Sequence, residues 1–194
     1  LEKANIKKFN QLRGKILAGQ GPGNTAEVIT RHLLKVHGLT YSDLKRVNYG
    51  SYTDSVALMK DANADVFTLG TTIPAGAIMD LASVRDVRLL GINSTTLKKM
   101  QSLNPGYLRN TIPSGTYPKQ DETIETIGYT THLIGHCSLE NEFIYNLLDT
   151  VFENISDLAA ITKVMIGITP DDMGKEIGVP LHAGAANWYQ EKSL

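Results

Sequence analysis

The segment Gly19-Gln20-Gly21-Pro22-Gly23-Asn24-Thr25 is the sharpest local candidate for chemistry in this 194-residue chain. Closely spaced glycines let backbone N–H groups converge on one space. A helix starting behind them adds the positive end of its dipole, which favours a bound anion such as a carboxylate or phosphate. Gly21 and Gly23 would supply main-chain donors, Asn24 and Thr25 side-chain ones. The same residues read equally as a tight strand-to-helix turn in which Asn24 is an ordinary helix cap. Two nucleotide readings fail. A phosphate-binding P-loop needs Gly-Lys-Ser/Thr, and no lysine stands at the corresponding place. A dinucleotide fingerprint needs a third glycine where this run has Asn24.

His132 and His136 bracket a short segment ending at Cys137. On an extended strand, positions four apart lie roughly 13 Å from each other, too far to share an ion. They are read as half-exposed side chains, and Cys137, the single cysteine, as a small buried thiol. One cysteine allows no internal disulfide and no Cys-rich metal site. No Gly-x-Ser-x-Gly elbow and no carboxylate pair at catalytic spacing occurs. The sequons at Asn93-Ser94-Thr95 and Asn154-Ile155-Ser156 are short enough to arise by chance. No catalysis, cofactor or metal is implied.

The elements that must position the turn alternate in type. Strands are predicted over 14–19, 45–49, 65–70 and 87–92. Between them, Ile29, Leu33 and Val36 form one helical face that stops at Gly38. Thr40 to Asp43 and Ser51 to Asp54 have capping-box form. Pro74 suits the first turn of a helix burying Ala75, Ile78, Met79 and Ala82. Strands about 20 residues apart, with helices between, argue for βαβ units on a mainly parallel sheet whose functional loops sit at the carboxyl ends of the strands. After residue 93 the rhythm breaks into turns at 104–106 and 113–115. A long strand is predicted over 123–136, then a helix capped by Ser138, a second after Ser156 and a third opened by Thr169-Pro170.

The composition is ordinary for a globular chain, 42 % apolar and 20 % charged. A net charge of −1 gives no footprint for nucleic acid or an anionic membrane surface. No apolar run approaches the ~18 residues of a membrane span. Leu1-Glu2-Lys3 opens a polar, helix-prone stretch without methionine or leader, as in a processed chain or part of a longer one.

Several blocks in fixed order resemble the TAXI solute-binding receptors of tripartite (TRAP) transporters. These are Leu12 to Lys15 with Gly23 to Glu27, and His37-Gly38-Leu39-Thr40-Tyr41-Ser42-Asp43-Leu44. Lys60 to Phe67 with Pro74-Ala75 and Asp80-Leu81-Ala82 is a third. Ile112-Pro113-Ser114-Gly115-Thr116-Tyr117 follows, and then Pro180 to Ala185 with Trp188 to Glu191. Pro22 stands where those receptors usually have the turn serine, Asn24 near their threonine, and Ala183 replaces a proline.

The resemblance implies an α/β chain of the type II periplasmic-binding-protein fold. Residues 1–122 would form a second lobe with a mixed sheet, and 123–194 a crossover hinge strand and carboxy-terminal helices returning to a first lobe that is largely missing. It implies a non-enzymatic, extracytoplasmic and monomeric receptor that closes over a small anionic solute, glutamate-like or dicarboxylate, and hands it to TRAP membrane permease subunits. Gly21, Gly23, Asn24 and Thr25 would hold a carboxylate, the loop Gly70-Thr71-Thr72 would add donors, and Tyr117 would wall the cleft or brace its own turn. His182 to Tyr189 read as packing. Readings left open are an ABC-type receptor or sensor lobe of the same fold, and an enzyme with a phosphate-binding turn. The enzyme needs a basic residue converging on the turn, which Arg31 is badly placed to supply.

Overall fold

The computed structural model describes residues 1, 4–174 and 179–192, so Glu2 and Lys3 lie outside the described residues. The chain divides into two compact units, Leu1–Tyr129 and Thr130–Leu194.

The first unit is built on three parallel strands, β1 (Ile16–Gly19), β2 (Arg46–Tyr49) and β3 (Val66–Phe67), in the order β2-β1-β3. Register pairs Leu17 with Val47 and Val66, placing β1 at the centre. Helix α1 (Thr25–Val36) links β1 to β2, and α2 (Tyr52–Lys60) links β2 to β3. The two crossovers run in opposite directions along the sheet, so right-handed connection puts α1 and α2 on opposite faces. Two cores result. Ala18 packs with Val56, Met59, Ala64 and Leu81, whereas Leu34 packs with Ile6, Leu12 and Leu39.

Local chemistry sets the boundaries. Asn24 caps α1, its side chain accepting from Ala26 N–H at 2.9 Å. Ser51 and Asp54 form a full capping box on α2. The Thr40–Asp43 box closes only a 3-10 turn, Tyr41–Asp43. β3 is shorter than the predicted 65–70 because the chain leaves the sheet after Thr68. At Gly70 the Tyr52 hydroxyl takes over, donating to the carbonyl (2.8 Å) and accepting from the N–H (3.3 Å). Helix α3 (Gly76–Ala82) starts beyond Pro74, which follows a cis peptide bond, and it buries Leu81 while Met79 is exposed.

Val87–Ile92 is not a strand. Ile92 N–H donates to Glu125 O of the next sheet at 2.9 Å, a contact without a ladder. The sequence also missed α4 (Ser94–Leu103), capped by Asn93, and β4 (Leu108–Ile112). β4 pairs antiparallel with β5 (Ile124–Gly128) in a separate two-stranded sheet. The predicted strand over 123–136 is therefore only β5, which lies in the first unit. The architecture is α/β with parallel and antiparallel strands.

The second unit is helical: α5 (Asn141–Glu153), α6 (Ile155–Ile161), α7 (Pro170–Met173) and α8 (Ala183–Lys192). Ile144, Leu148, Ala185 and Trp188 form its core. Ser138 does not cap α5. The N-cap is Glu140, and the Ser138 hydroxyl lies 2.7 Å from His136 Nδ1. Cys137 is exposed, not buried, because residues 129–136 form no strand to cover it. α7 opens as predicted, with Pro170 in its first turn and a Thr169–Asp172 box. His182 caps α8, its Nδ1 accepting from Gly184 N–H at 3.1 Å.

Candidate functional site

In a parallel sheet ordered β2-β1-β3, the connections leave β1 and β3 on opposite faces, opening a crevice at their carboxyl ends. The turn 20–24 leaves β1 at that place and the loop 68–75 leaves β3 there. Gly19 touches Thr68, whose Oγ1 would stand 3.2 Å from a Cβ at that glycine. Gly70 lies against Ala26 of α1, where a Cβ would come within 3.4 Å of the alanine methyl. The residues flanking the turn, Gly19 and Ala26, thus lie against the start of the 68–75 loop.

Each predicted residue has a definite place. Gly21 is half-buried and its carbonyl accepts from Asn24 N–H at 3.2 Å. Gly23 has φ +90°, a left-handed conformation that only glycine adopts at little cost. Asn24 and Thr25 are exposed. Asn24 Oδ1 takes the Ala26 amide and Asn24 C=O takes Val28 N–H (3.1 Å), so Thr25 and Glu27 N–H remain as donors at the helix's open end. Asn24 is accordingly a helix cap. Thr71 and Thr72 are exposed beside Gly70. Tyr117 is buried, and its hydroxyl accepts from Ala75 N–H at 2.9 Å, bracing the far end of the 68–75 loop from inside the protein.

Beneath the turn lies a polar crevice that sequence reading did not find. It is lined by Gln20, Glu27, Thr30, Tyr41, Tyr49 and Thr68, with Leu17, Gly19 and Val47 behind them. Glu27 is buried, and its Oε1 accepts from Tyr41 OH (3.0 Å) and Arg31 Nε (3.2 Å). Arg31 therefore neutralises Glu27 and does not reach the turn as an anion-binding base. Burial, with the Glu27 carboxylate beside it, pushes the Tyr41 hydroxyl upward in pKa, keeping it a neutral donor. Thr30 Oγ1 donates to Ala26 O at 2.7 Å and lies 3.0 Å from Thr68 Oγ1. Tyr129, at the end of β5, brings its hydroxyl to the loop, 2.8 Å from where a Cβ on Gly70 would be. Neither Tyr52 nor Tyr129 carried a signal for this role, because each meets Gly70 only through the fold.

Residues 1–193 match the NMT1-like family. The chain belongs to that family. Its members are periplasmic solute-binding-like proteins, and the NMT1-like chain is consistent with a binding protein. Among the described residues, no cluster of three or more His, Cys, Asp or Glu side chains is placed to hold a metal. No described helix is long and apolar enough to cross a membrane.

Proposed function

We propose that this NMT1-like protein is a periplasmic, monomeric receptor of a TRAP transporter that captures a small carboxylate and delivers it to a membrane permease. The observation that supports the reading is the approach of Gly19 to Thr68 and of Ala26 to Gly70, on either side of the 20–25 turn, at the point where the sheet's connections reverse. A carboxylate seated there accepts from Thr25 and Glu27 N–H and from the Thr25 hydroxyl, on the positive end of a 12-residue helix. The exposed Thr71 and Thr72 hydroxyls stand on the facing loop. Tyr117 serves by fixing that loop's far end. The family supports a solute-binding role, and the blocks similar to TAXI receptors support the TRAP permease as partner.

Calorimetry of the full chain with glutamate and short dicarboxylates tests the seat. A hydrogen bond to a charged group contributes about 1.5–3 kcal/mol, so Thr25→Ala should weaken binding roughly tenfold or more. Asn24→Ala should weaken it too, while also costing about 1 kcal/mol of helix capping. Affinities unchanged in both variants would remove the turn from the site.

A further inference from the structure

The Gln20 side chain is 6 % exposed, and neither its Oε1 nor its Nε2 has a hydrogen-bond partner. Among the described residues, His37, Asn48 and Ser55 also bury an unpartnered side-chain atom, but none of them lines the crevice. Gln20 does. An amide buried without partners costs folding free energy, so one kept at the end of β1 calls for an occupant that pairs with it. The crevice is closed as it stands, so a partner for Gln20 enters only when the lining moves. Tyr49 is exposed and stands edge-on to Tyr41, ring centres 6.4 Å apart, so it is the side chain placed to swing aside for an entering group.

We propose that Gln20 determines the specificity of this site by pairing with an amide edge on the solute: a carboxamide, lactam or urea group. The inference rests on the proposed carboxylate seat and names the other end of the molecule held there. The chemistry selects the class. Gln20 offers one donor side and one acceptor side, and an amide edge satisfies both through two parallel N–H···O bonds. A carboxylate brings only acceptors, leaves Oε1 unpaired and shares the crevice with the buried Glu27 carboxylate. An ammonium brings only donors and leaves Nε2 unpaired. A single hydroxyl does not span both atoms. Thr30, Thr68 and Tyr41 are already bonded to one another or to Glu27 and the α1 backbone, which leaves Gln20 as the unspent recognition group.

Calorimetry of the full chain with succinamate, succinate and butyrate tests this, since all three share one carboxylate end and two methylenes and differ only at the far end, which is an amide, a second carboxylate or a methyl. The wild type should bind succinamate at least about tenfold more tightly than the other two. Gln20→Leu should lose that preference. Its unliganded Tm should rise by roughly 3 °C, because an apolar side chain replaces an orphaned amide. Equal wild-type affinity for the three probes would overturn this inference and leave the carboxylate seat standing. Binding of none of them would overturn both. A preference that survives in Gln20→Leu, or a Tm that falls, would show that the amide has a structural partner and sink the assignment.

Discussion

Asp149 shows how one side chain can tie a fold to pH. Its Oδ1 accepts from Trp188 Nε1 at 3.0 Å and from Lys192 Nζ at 2.9 Å, joining α5 to α8. Trp188 is fully buried, so its indole N–H needs that acceptor. The Lys192 ammonium, and after it the indole, hold the Asp149 carboxyl below the usual carboxylate range. A depressed folded pKa contributes stability that is present above the unfolded value of about 3.9 and is lost as pH falls through the folded one. The second unit should therefore lose stability progressively below about pH 4. Trp188 is the only tryptophan, so urea titration followed by its fluorescence reads this unit. Asp149→Asn, which keeps the shape and an acceptor, should start with a lower midpoint at pH 7 and a flatter acid limb. An acid limb as steep as the wild type's would assign the effect to other carboxylates.

At the level of elements, close approach is decided by what a position lacks. Gly184 opens α8 with its Cα against the start of α5, and a Cβ there would overlap the Asn141 carbonyl, with Asn141 Cα at 3.0 Å. These are backbone atoms, so no rotamer relieves the clash. Gly184→Ala should destabilise the second unit by about 3 kcal/mol, the upper end for overpacking, read as a lower Trp188 midpoint. Gly167→Ala, where a Cβ meets open space but φ is +72°, should cost about 1 kcal/mol. The two separate clash from backbone strain. What sequence could disclose follows the same division. β1, α1, β2 and α2 were legible because Asn24, Gly38 and the Ser51–Asp54 box are local signals. α4 was not, since only Thr96, Leu97 and Met100 of its ten residues are buried and its polar surface hides the period. β4 was not, because only Ile112 of Leu108–Ile112 is buried, leaving no alternation to read. In the site, the glycine turn was visible as a pattern. Gln20, Tyr52 and Tyr129 were not, since what defines them is a missing or distant partner that only the fold supplies.

Across the whole molecule the apolar residues are unevenly used. The first unit has two buried clusters, centred on Ala18 and Leu34, whereas the second has one. In the second unit Ile134 is 92 % exposed, Ile161 84 % and Leu133 76 %, and Val164 and Ile166 are exposed as well. Burying apolar area contributes about 25 cal/mol per Å², so a unit of this size that leaves such side chains in water forgoes a substantial part of its stabilisation. The second unit should therefore unfold before the first. The spectroscopy separates them, because six of the eight tyrosines, from Tyr41 to Tyr129, lie in the first unit and the tryptophan lies in the second. Thermal melts followed by Trp188 fluorescence should reach their midpoint below those followed by tyrosine signals. The proposed carboxylate seat and Gln20 belong to the first unit, so on that proposal added ligand should raise the tyrosine-monitored transition, by an amount set by its concentration relative to Kd. Coincident transitions at every ligand concentration would mean that the two units fold as one cooperative body, and the uneven burial would then have no thermodynamic consequence.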